Sequence, residues 1–373
     1  MPIYMDRHDL PGVTARDVAE AHQQDLKIQD NYCCRGLTYW FDEQRGTAFC
    51  LIEAPDKTAV KEMHDNAHGL VPHQIIEVDG NVVNAFLGRI ENPGKYQGQN
   101  SADLPIITEP AFRAIMVTKL MDSALLLSKY GEEKTLGIFR KHNELIQNTM
   151  HLYDGRLAKK TDDGFIVSFS SLPKSVSCAL EIHHKFKRYN KTNPDAEMCI
   201  RIGLSAGLPV TEASDFFGQT VSSAKRLSSV AQKDQVLISS TVKDFNDENR
   251  LNLLKNSDAA KTLTPVDENF LNKLIDTTEI IWNVASFDVG SFARRLGLSR
   301  SQLFRKTTSL TGYSPNDFIK EFRLKKAITM IKQQHGNITE IAFQAGFSNS
   351  SYFAKCFQKR FGILPSNYAK TLA

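Results

Sequence analysis

The sequence predicts a multidomain protein in which an α+β unit, an α/β unit and an all-α unit follow one another. Two polar segments separate these units, because residues 84–110 and 246–267 carry too few apolar residues at the helical or strand period to build a core element. The charge also changes abruptly. Residues 289–373 hold 14 Lys and Arg against 3 Asp and Glu, whereas the preceding residues hold 32 against 39. A basic unit of this kind is suited to binding phosphates.

These features predict five segments along the 373 residues. They are an N-terminal unit at 1–84, a linker at 85–110, a central unit at 111–245, a linker at 246–266 and a C-terminal unit at 267–373. Within the second polar segment, a short docking helix is possible at Leu251, Leu253 and Leu254.

The composition is that of an ordinary globular chain, with 24% charged and 41% hydrophobic residues. No run approaches the roughly 18 apolar residues of a membrane span, and the Met-Pro-Ile-Tyr-Met start lacks the basic and apolar regions of a signal peptide. The cysteines are scattered without a CxxC pair or disulfide-rich spacing: Cys33, Cys34, Cys50, Cys178, Cys199 and Cys356. We therefore expect a cytoplasmic protein that does not contact membranes.

The N-terminal unit has the pattern of a ferredoxin-like sandwich. Its strands are predicted at 2–7, 36–41, 47–53 and 74–78, and its helices at 14–31 and 57–68. The resulting βαββαβ order is the one that predicts this fold.

Five of the ten histidines lie in this unit, and His64 and His68 are four residues apart on one predicted helix. That spacing places both imidazoles on the same face, as metal ligands require, although such a pair is more often a solvated face. The runs MDRHDLPGVT, AHQQDLKIQD, LTYWFD, FCLIEAP and AHGL resemble a small bacterial ferredoxin-like family with nickel-binding members.

The resemblance implies a divalent transition metal as cofactor, with Cu²⁺ and Zn²⁺ as competitors of Ni²⁺ for imidazole ligands. The favoured ligands are His8, His64 and His68, with His22 and Cys50 as secondary candidates. For Cys50, a buried position on a strand is the simpler interpretation.

The central unit alternates strands with long helices, which indicates an α/β or α+β sandwich. Strands are predicted at 112–120, 155–169 (a pair), 198–208 and 235–239, and helices at 132–153, 173–189 and 220–231.

The runs GRLAKKTDDGFIVSF, CIRIGLSAG and DFFGQTVSSAKRLSSVAQKDQVLIS resemble the class III adenylate/guanylate cyclase catalytic domain. In that family two aspartates hold two divalent ions at a nucleoside triphosphate. One metal position corresponds to Asp163, for which a plain turn residue in an Asp-Asp-Gly hairpin is the alternative. The other position holds Lys119, which repels a cation, and Ser222 replaces the transition-state Asn.

The resemblance therefore implies a degenerate, non-catalytic cyclase-like domain that forms dimers and still binds an adenine nucleotide. The implied nucleotide-binding residues are Lys159, Asp163, Asp215 and Arg226.

The C-terminal unit contains two helix-turn-helix patterns. In the first, Phe292, Ala293 and Leu296 line a short helix, and a second helix opens at Arg300 with Ser299 as N-cap. Leu303, Phe304 and Leu310 are expected to dock that second helix. The run ITEIAFQAGFSNSSYFAKCFQKRFG repeats the pattern, with a second reading helix from Asn349.

A long helix from Ser314-Pro315 to about Gln334 joins the two patterns, with Phe318, Phe322, Ile328 and Ile331 available for packing. About 20 residues span ~30 Å, close to the ~34 Å between successive major grooves on one side of B-DNA.

The run GFSNSSYFAKCFQKRFGILPSNY resembles the AraC-type DNA-binding domain over about Asp267 to Ala373. The signature matches at Gly346, Phe347, Ser348, Ser351, Tyr352, Phe353, Phe357, Lys359, Gly362, Pro365 and Tyr368. This resemblance implies sequence-specific binding to double-stranded DNA. The expected DNA contacts are Arg300, Ser301, Gln302, Arg305, Lys306, Asn349, Ser350, Ser351, Lys355, Lys359 and Arg360.

The leading hypothesis is a homodimeric transcription regulator in which a metal or small-molecule effector and the cyclase-like domain control DNA binding. The first alternative is an active adenylate cyclase regulated by its flanking domains, which Lys119 and Ser222 disfavour. The second is a metal-sequestering protein, for which a DNA-binding domain would be superfluous.

Overall fold

A computed structural model of the chain describes residues 1–93, 104–212, 215–243 and 259–372. Within these ranges, no helix is both long enough and apolar enough to cross a bilayer. The possible docking helix at Leu251, Leu253 and Leu254 lies outside the described residues.

The N-terminal unit is a four-stranded antiparallel sheet with two helices on one face. Its elements are β1 (Ile3–Asp9), α1 (Ala15–Ile28), β2 (Arg35–Asp42), β3 (Thr47–Glu53), α2 (Lys57–Ala67) and β4 (Gln74–Val78). The strand order β2-β3-β1-β4 is that of a ferredoxin-like sandwich, so the predicted fold is confirmed.

A helix that the sequence pattern did not reveal follows at once. It is α3 (Gly80–Leu87), capped by the Asp79 carboxylate, and it buries Val83, Phe86 and Leu87. It therefore continues past residue 84, where the polar segment was expected to begin. Within that segment, Ile107 also packs into the N-terminal core.

The central unit is built on a six-stranded sheet of order β10-β9-β8-β5-β7-β6. Its strands are β5 (Arg113–Leu120), β6 (Arg156–Thr161), β7 (Gly164–Phe169), β8 (Ile200–Gly207), β9 (Gln235–Ile238) and β10 (Ala260–Thr262). Its helices are α4 (Leu126–Leu152), α5 (Leu172–Thr192), α6 (Gly218–Val230) and the short α7 (Ser240–Lys243). Helix α4 is interrupted at Gly131, where φ is 74°, one residue before the predicted helix start.

The C-terminal unit is all α, as predicted. Its helices are α8 (Pro265–Ile281), α9 (Val289–Arg295), α10 (Arg300–Thr311), α11 (Pro315–Lys332), α12 (Ile338–Gln344), α13 (Ser350–Phe361) and α14 (Pro365–Lys370). Ser299 and Gln302 form a capping box that fixes the start of α10. The 18 residues of α11 correspond to ~27 Å.

One packing prediction for this unit is wrong. Leu303 and Leu310 are buried as expected, but Phe304 keeps 55% of its surface exposed. Phe304 lies about 100° around the helix from Leu303, which carries it off the narrow buried stripe of α10.

The three units share apolar clusters. Met5, Phe49 and Leu51 of the N-terminal sheet pack with Ile115 and Val117 of the central sheet. The C-terminal unit contacts the central unit at two places. The end of α6 and β9 pack with α8 to α11, and Leu125, which is fully buried, enters the core of the second helix-turn-helix.

Candidate functional sites

A cluster of buried polar side chains lies between the N-terminal sheet and helices α1 and α2. His64 sits at its centre, with Nε2 2.8 Å from Asp6 Oδ2 and Nδ1 3.1 Å from Asp25 Oδ1. His68 Nε2 is 3.1 Å from the same oxygen of Asp25. Two donor groups result, one formed by Asp6, His8, Cys50 and His64 and one by Asp25, His64 and His68, each with ligand atoms within 4.8 Å of one another.

The electrostatics of this cluster are those of charges paired inside the protein. Burial disfavours the imidazolium, but the adjacent Asp6 and Asp25 carboxylates outweigh it and raise the pKa of His64 to about 10. Although burial opposes ionisation, the neighbouring histidines hold the pKa of both carboxyl groups below the usual range. Burial and the Asp6 charge raise the pKa of the Cys50 thiol. These shifts favour the carboxylate forms of Asp6 and Asp25, the imidazolium form of His64 and the thiol form of Cys50.

The structure brings the favoured histidines His8, His64 and His68 together, with Cys50 beside them. It places His22 outside both donor groups, where its ring lies against Tyr39. The sequence reasoning missed the two carboxylates, which are 1% and 3% exposed. Asp6 had a detectable signal, because residues two apart on a strand, such as Asp6 and His8, point to the same face.

The donor set fits a divalent transition metal. His8 Nε2 is buried and lies 3.3 Å from Asp6 Oδ1 but has no hydrogen-bond partner among the described residues. Imidazole, carboxylate and thiolate are ligands of Ni²⁺, Cu²⁺ and Zn²⁺. A cation bound by His64 would displace a proton from its imidazole, since the ligand form of histidine is neutral.

On the central unit, the two predicted metal positions of the cyclase resemblance face each other as an ion pair. Lys119 Nζ lies 3.7 Å from Asp163 Oδ2. Asp163 also belongs to the tight β6–β7 hairpin and accepts a hydrogen bond from the Thr161 hydroxyl at 3.1 Å. The ammonium group therefore supplies the positive charge that a metal ion would bring to this carboxylate.

The remaining predicted nucleotide residues divide into two places. Asp215 and Arg226 line one groove at the start of α6, together with Ser222. The Arg226 guanidinium is bound by α8, through Asp276 at 2.7 Å and Asn272 at 3.2 Å. Lys159 is exposed on the edge strand β6.

The predicted DNA contacts on α10 form an exposed surface at the start of the helix. The Arg300 side chain is 73% exposed, and Ser301, Gln302 and Arg305 are exposed beside it. Lys306 is half-buried and lies over the Phe270 ring. Gln302 uses its side-chain oxygen to accept the Ser299 N–H.

On α13, Ser351, Lys355 and Lys359 are exposed, and Ser350 is half-buried. Asn349 caps the helix by accepting the backbone N–H groups of Ser351 and Tyr352.

Arg360 is engaged elsewhere. It forms a bidentate pair with Asp122 of the central unit at 2.9 and 3.2 Å, and a second one with Glu321 of α11 at 2.7 and 2.9 Å. In this arrangement it is not free to hold a DNA phosphate.

Comparison with known families assigns each unit. Residues 4–78 match the model of the nickel responsive protein SCO4226-like family. Residues 114–261 match the adenylate and guanylate cyclase catalytic domain, and residues 292–371 match a helix-turn-helix domain. After the families that they are similar to, the three units are called the SCO4226-like domain, the cyclase-type domain and the AraC-type domain.

Individual relatives match single domains of the chain. The HTH-type transcriptional regulator MtrA of Neisseria gonorrhoeae is 29% identical over 102 residues, 27% of this chain and 32% of that protein. Histidine kinase P4 of Formosa agariphila is 40% identical over 128 residues, 32% of this chain but 9% of that protein. The crystal structure of SCO4226 from Streptomyces coelicolor A3(2) shares 34% identity and covers 20% of this chain and 94% of that one, with a TM-score of 0.20. The chain thus spans a third or less of the length of both of these curated relatives.

The domain assignment gives each cluster a context. The buried donor groups belong to the SCO4226-like domain, and the Lys119–Asp163 ion pair belongs to the cyclase-type domain. The exposed basic surfaces of α10 and α13 belong to the AraC-type domain.

Proposed function

We propose that this protein is a sequence-specific, DNA-binding transcription regulator whose output depends on a metal site in the SCO4226-like domain. The observation that carries the proposal is the pair of reading helices α10 and α13, which expose polar and basic residues along their first two turns. Helix α11, which joins the two motifs, is ~27 Å long, a length of the same order as the ~34 Å between neighbouring major grooves.

Two variants on different reading helices test the DNA-binding part. Arg300→Ala is expected to cost ~1–3 kcal/mol at one position of the site, because arginine reads a base edge. Lys359→Ala is expected to weaken all sequences alike, because a phosphate contact carries no sequence information. The measurement is a randomised-site binding selection. Identical behaviour of the two variants contradicts this division of roles.

The metal-sensing part of the proposal is supported by what strands β1 and β3 carry on their two opposite faces. On one face they carry the donors Asp6 and Cys50, and on the other face Met5, Phe49 and Leu51 pack on the cyclase-type domain. When bound, a divalent metal would supply a fixed positive charge among these side chains. Asp6, His8, His64 and Cys50, or Asp25, His64 and His68, would hold it. Each of the donors Asp6 and Cys50 is therefore next in sequence to a residue that packs on the cyclase-type domain. A change of charge at the metal site thus lies one residue from the contact between the two domains.

Calorimetry with Ni²⁺, Zn²⁺ and Cu²⁺ on the full chain tests this site. The variants are Asp6→Ala and the double variant His64→Ala/His68→Ala, with His73→Ala as the control because His73 lies in the same domain but outside both donor groups. The first two are expected to lose most of the affinity and the control to keep it. Equal affinities in all of them refute the site. The same titration, repeated in the presence of DNA, shows whether the metal changes DNA binding.

For the cyclase-type domain we infer a non-catalytic relay. Two ion pairs support this inference. Lys119 binds Asp163 and Asp276 binds Arg226, so the carboxylate and the guanidinium that nucleotide chemistry would need are already engaged. Incubation with ATP and Mg²⁺ or Mn²⁺ tests it, and clear cyclic AMP formation contradicts it. The expected homodimer is tested by sedimentation of the full chain with and without Ni²⁺.

A further inference from the structure

His64 belongs to both donor groups of the SCO4226-like domain, but its two ring nitrogens face different groups. Nε2 lies 2.8 Å from Asp6 Oδ2, and Nδ1 lies 3.1 Å from Asp25 Oδ1. A neutral imidazole offers one nitrogen as a metal ligand and keeps a proton on the other. An ion bound by the neutral His64 ring must therefore lie on one side of the ring only.

The hydrogen bonds of His68 decide which side is available. Gly69, which has a φ of 75°, turns the chain back just after α2, and the Leu70 backbone nitrogen lies 3.1 Å from His68 Nδ1. A backbone N–H can only donate, so His68 Nδ1 accepts this hydrogen bond and carries no proton. The proton of this imidazole is then on Nε2, which lies 3.1 Å from Asp25 Oδ1 and donates to it. A ring nitrogen that carries a proton has no lone pair for a metal ion.

The hydrogen bonds that end at Asp25 all run in one direction. Leu70 donates to His68, and the two imidazoles donate to the same oxygen of Asp25. A carboxylate that accepts an imidazole N–H orients the ring and fixes its tautomer. Nδ1 of His64 therefore keeps its proton, and Nε2 is the nitrogen left for a metal ion.

The group on the Nε2 side has the properties of a metal site. Its buried side chains, whose ligand atoms lie within 4.8 Å of one another, are Asp6, His8, Cys50 and His64. His8 is 4% exposed, and its Nε2 has no hydrogen-bond partner among the described residues. A buried polar atom without a partner is costly, and a bound ion would engage it. Four protein donors are also the number that a closed metal site supplies.

We propose that a divalent transition metal binds in the group of Asp6, His8, Cys50 and His64 alone, through Nε2 of His64. Asp25 and His68 are positioning residues, which hold the His64 ring without touching the ion. This assignment rests on the metal site of the proposed function and narrows its ligand set. It makes Cys50 a thiolate ligand, since the thiol must lose its proton to bind an ion.

Titration of the full chain with Co²⁺, followed by absorption, tests the ligand set. A thiolate bound to Co²⁺ gives a charge-transfer band in the near ultraviolet, and the unchanged protein is expected to show it. Cys50→Ser keeps the shape of the side chain but replaces the sulfur. This variant is expected to lose the band.

Asp25→Ala and His68→Ala test the positioning role, because they leave all four proposed ligands in place. Each is expected to keep the band and to weaken Co²⁺ binding by ~10–100-fold, the usual effect of removing a group that orients a ligand. Asp25→Asn keeps an acceptor oxygen and His68→Gln keeps a donor, so both are expected to recover part of the affinity. The matched control is Asp30→Asn, which makes the same change of charge as Asp25→Asn at an exposed residue outside both donor groups. It is expected to bind Co²⁺ as the unchanged protein does.

Two spectra would overturn the ligand set: a band that Cys50→Ser leaves unchanged, and Co²⁺ binding that His68→Gln abolishes. The first excludes the thiolate, and the second makes His68 a ligand. Unchanged affinity in both alanine variants overturns the positioning role. Circular dichroism of the metal-free variants checks their folding, and the Asn and Gln variants carry the test if an alanine variant unfolds.

The same titration separates this assignment from the function on which it rests. If the unchanged protein binds neither Co²⁺ nor Ni²⁺, the metal site of the proposed function fails together with the ligand set. Binding with the wrong spectrum contradicts the ligand set alone. The titration contains no DNA, so the DNA-binding proposal is left to its own test.

Discussion

At the scale of single residues, Phe304 is an aromatic side chain exposed on a reading helix between Arg300 and Arg305. Apolar side chains at such positions contact the C5-methyl group of thymine. Phe304→Ala is therefore expected to lose ~1 kcal/mol, about the value of one buried methyl group, on a site that contains the contacted thymine. Replacing that thymine by deoxyuridine is expected to weaken binding of the unchanged protein by the same amount. On the deoxyuridine site, Phe304→Ala is then expected to cause no further loss of binding free energy.

The matched control for Phe304 is Phe343, which is 52% exposed on α12, outside both reading helices. Phe343→Ala is expected to leave the thymine preference unchanged. Binding of both variants to thymine and deoxyuridine sites completes a double-mutant cycle. A coupling energy of zero for Phe304 contradicts the assignment, whereas loss of all DNA binding points to the proposed function itself.

At the metal site, some residues could be predicted from the sequence and others could not. The spacing of His64 and His68 predicts their common face, because it depends only on helix geometry. Asp25 carries no comparable signal, because an aspartate on a helix surface looks the same as one that the fold turns inward. Its burial depends on where α1 packs, which is a tertiary property.

At the scale of elements, the regular segments could be predicted well. Strands β3 and β4 begin and end at the predicted residues, since each is a short apolar run bounded by polar residues. Helix α3 was missed because it has only eight residues and lies at the edge of a polar segment. Its burial comes from the neighbouring central sheet, which the local pattern does not contain.

Replacement of two glycines by alanine is expected to have opposite effects on the stability of the protein. At Gly203 on β8, an added Cβ would lie 2.1 Å from the Ala224 carbonyl oxygen of α6. Gly203→Ala is therefore expected to destabilise the protein by ~1–3 kcal/mol through overpacking. At Gly137 on α4, an added Cβ meets no described atom within 4 Å. Gly137→Ala is expected to stabilise it by ~0.5–1 kcal/mol.

The apparent midpoint of thermal unfolding, measured for both glycine variants side by side, checks this pair. The midpoint is expected to fall for Gly203→Ala and to rise for Gly137→Ala. A fall of equal size in both variants contradicts the packing of α6 against β8.

At the scale of the whole molecule, the three domains are joined by buried contacts as well as by linkers. Residue pairs such as Asp122 and Arg360, 238 positions apart, cannot be inferred from one sequence, because neither belongs to a shared local pattern. The sequence therefore predicted three units, but it interpreted Arg360 as a DNA contact. The structure shows this residue at a domain interface, paired with Asp122 of the central unit.

The Arg360–Asp122 pair predicts a link between domain docking and DNA binding. Glu321 moves with Arg360 as part of the AraC-type domain, so Asp122 is the partner that crosses between domains. Asp122→Asn is expected to loosen the docking and to free Arg360 for a DNA phosphate. DNA affinity should then rise, and the dependence of log affinity on log salt should steepen by up to ~1.

The control for this variant is Asp195→Asn, which makes the same change of net charge at an exposed turn of the cyclase-type domain and has no ion pair with the AraC-type domain among the described residues. Titrations of a labelled DNA duplex at several salt concentrations compare the two. The control is expected to shift affinity slightly without changing the slope, because a distant charge alters only the general field. If both variants steepen the slope equally, net charge explains the effect. If Asp122→Asn changes neither slope nor affinity, Arg360 contributes no phosphate contact and its role is confined to holding the domains together.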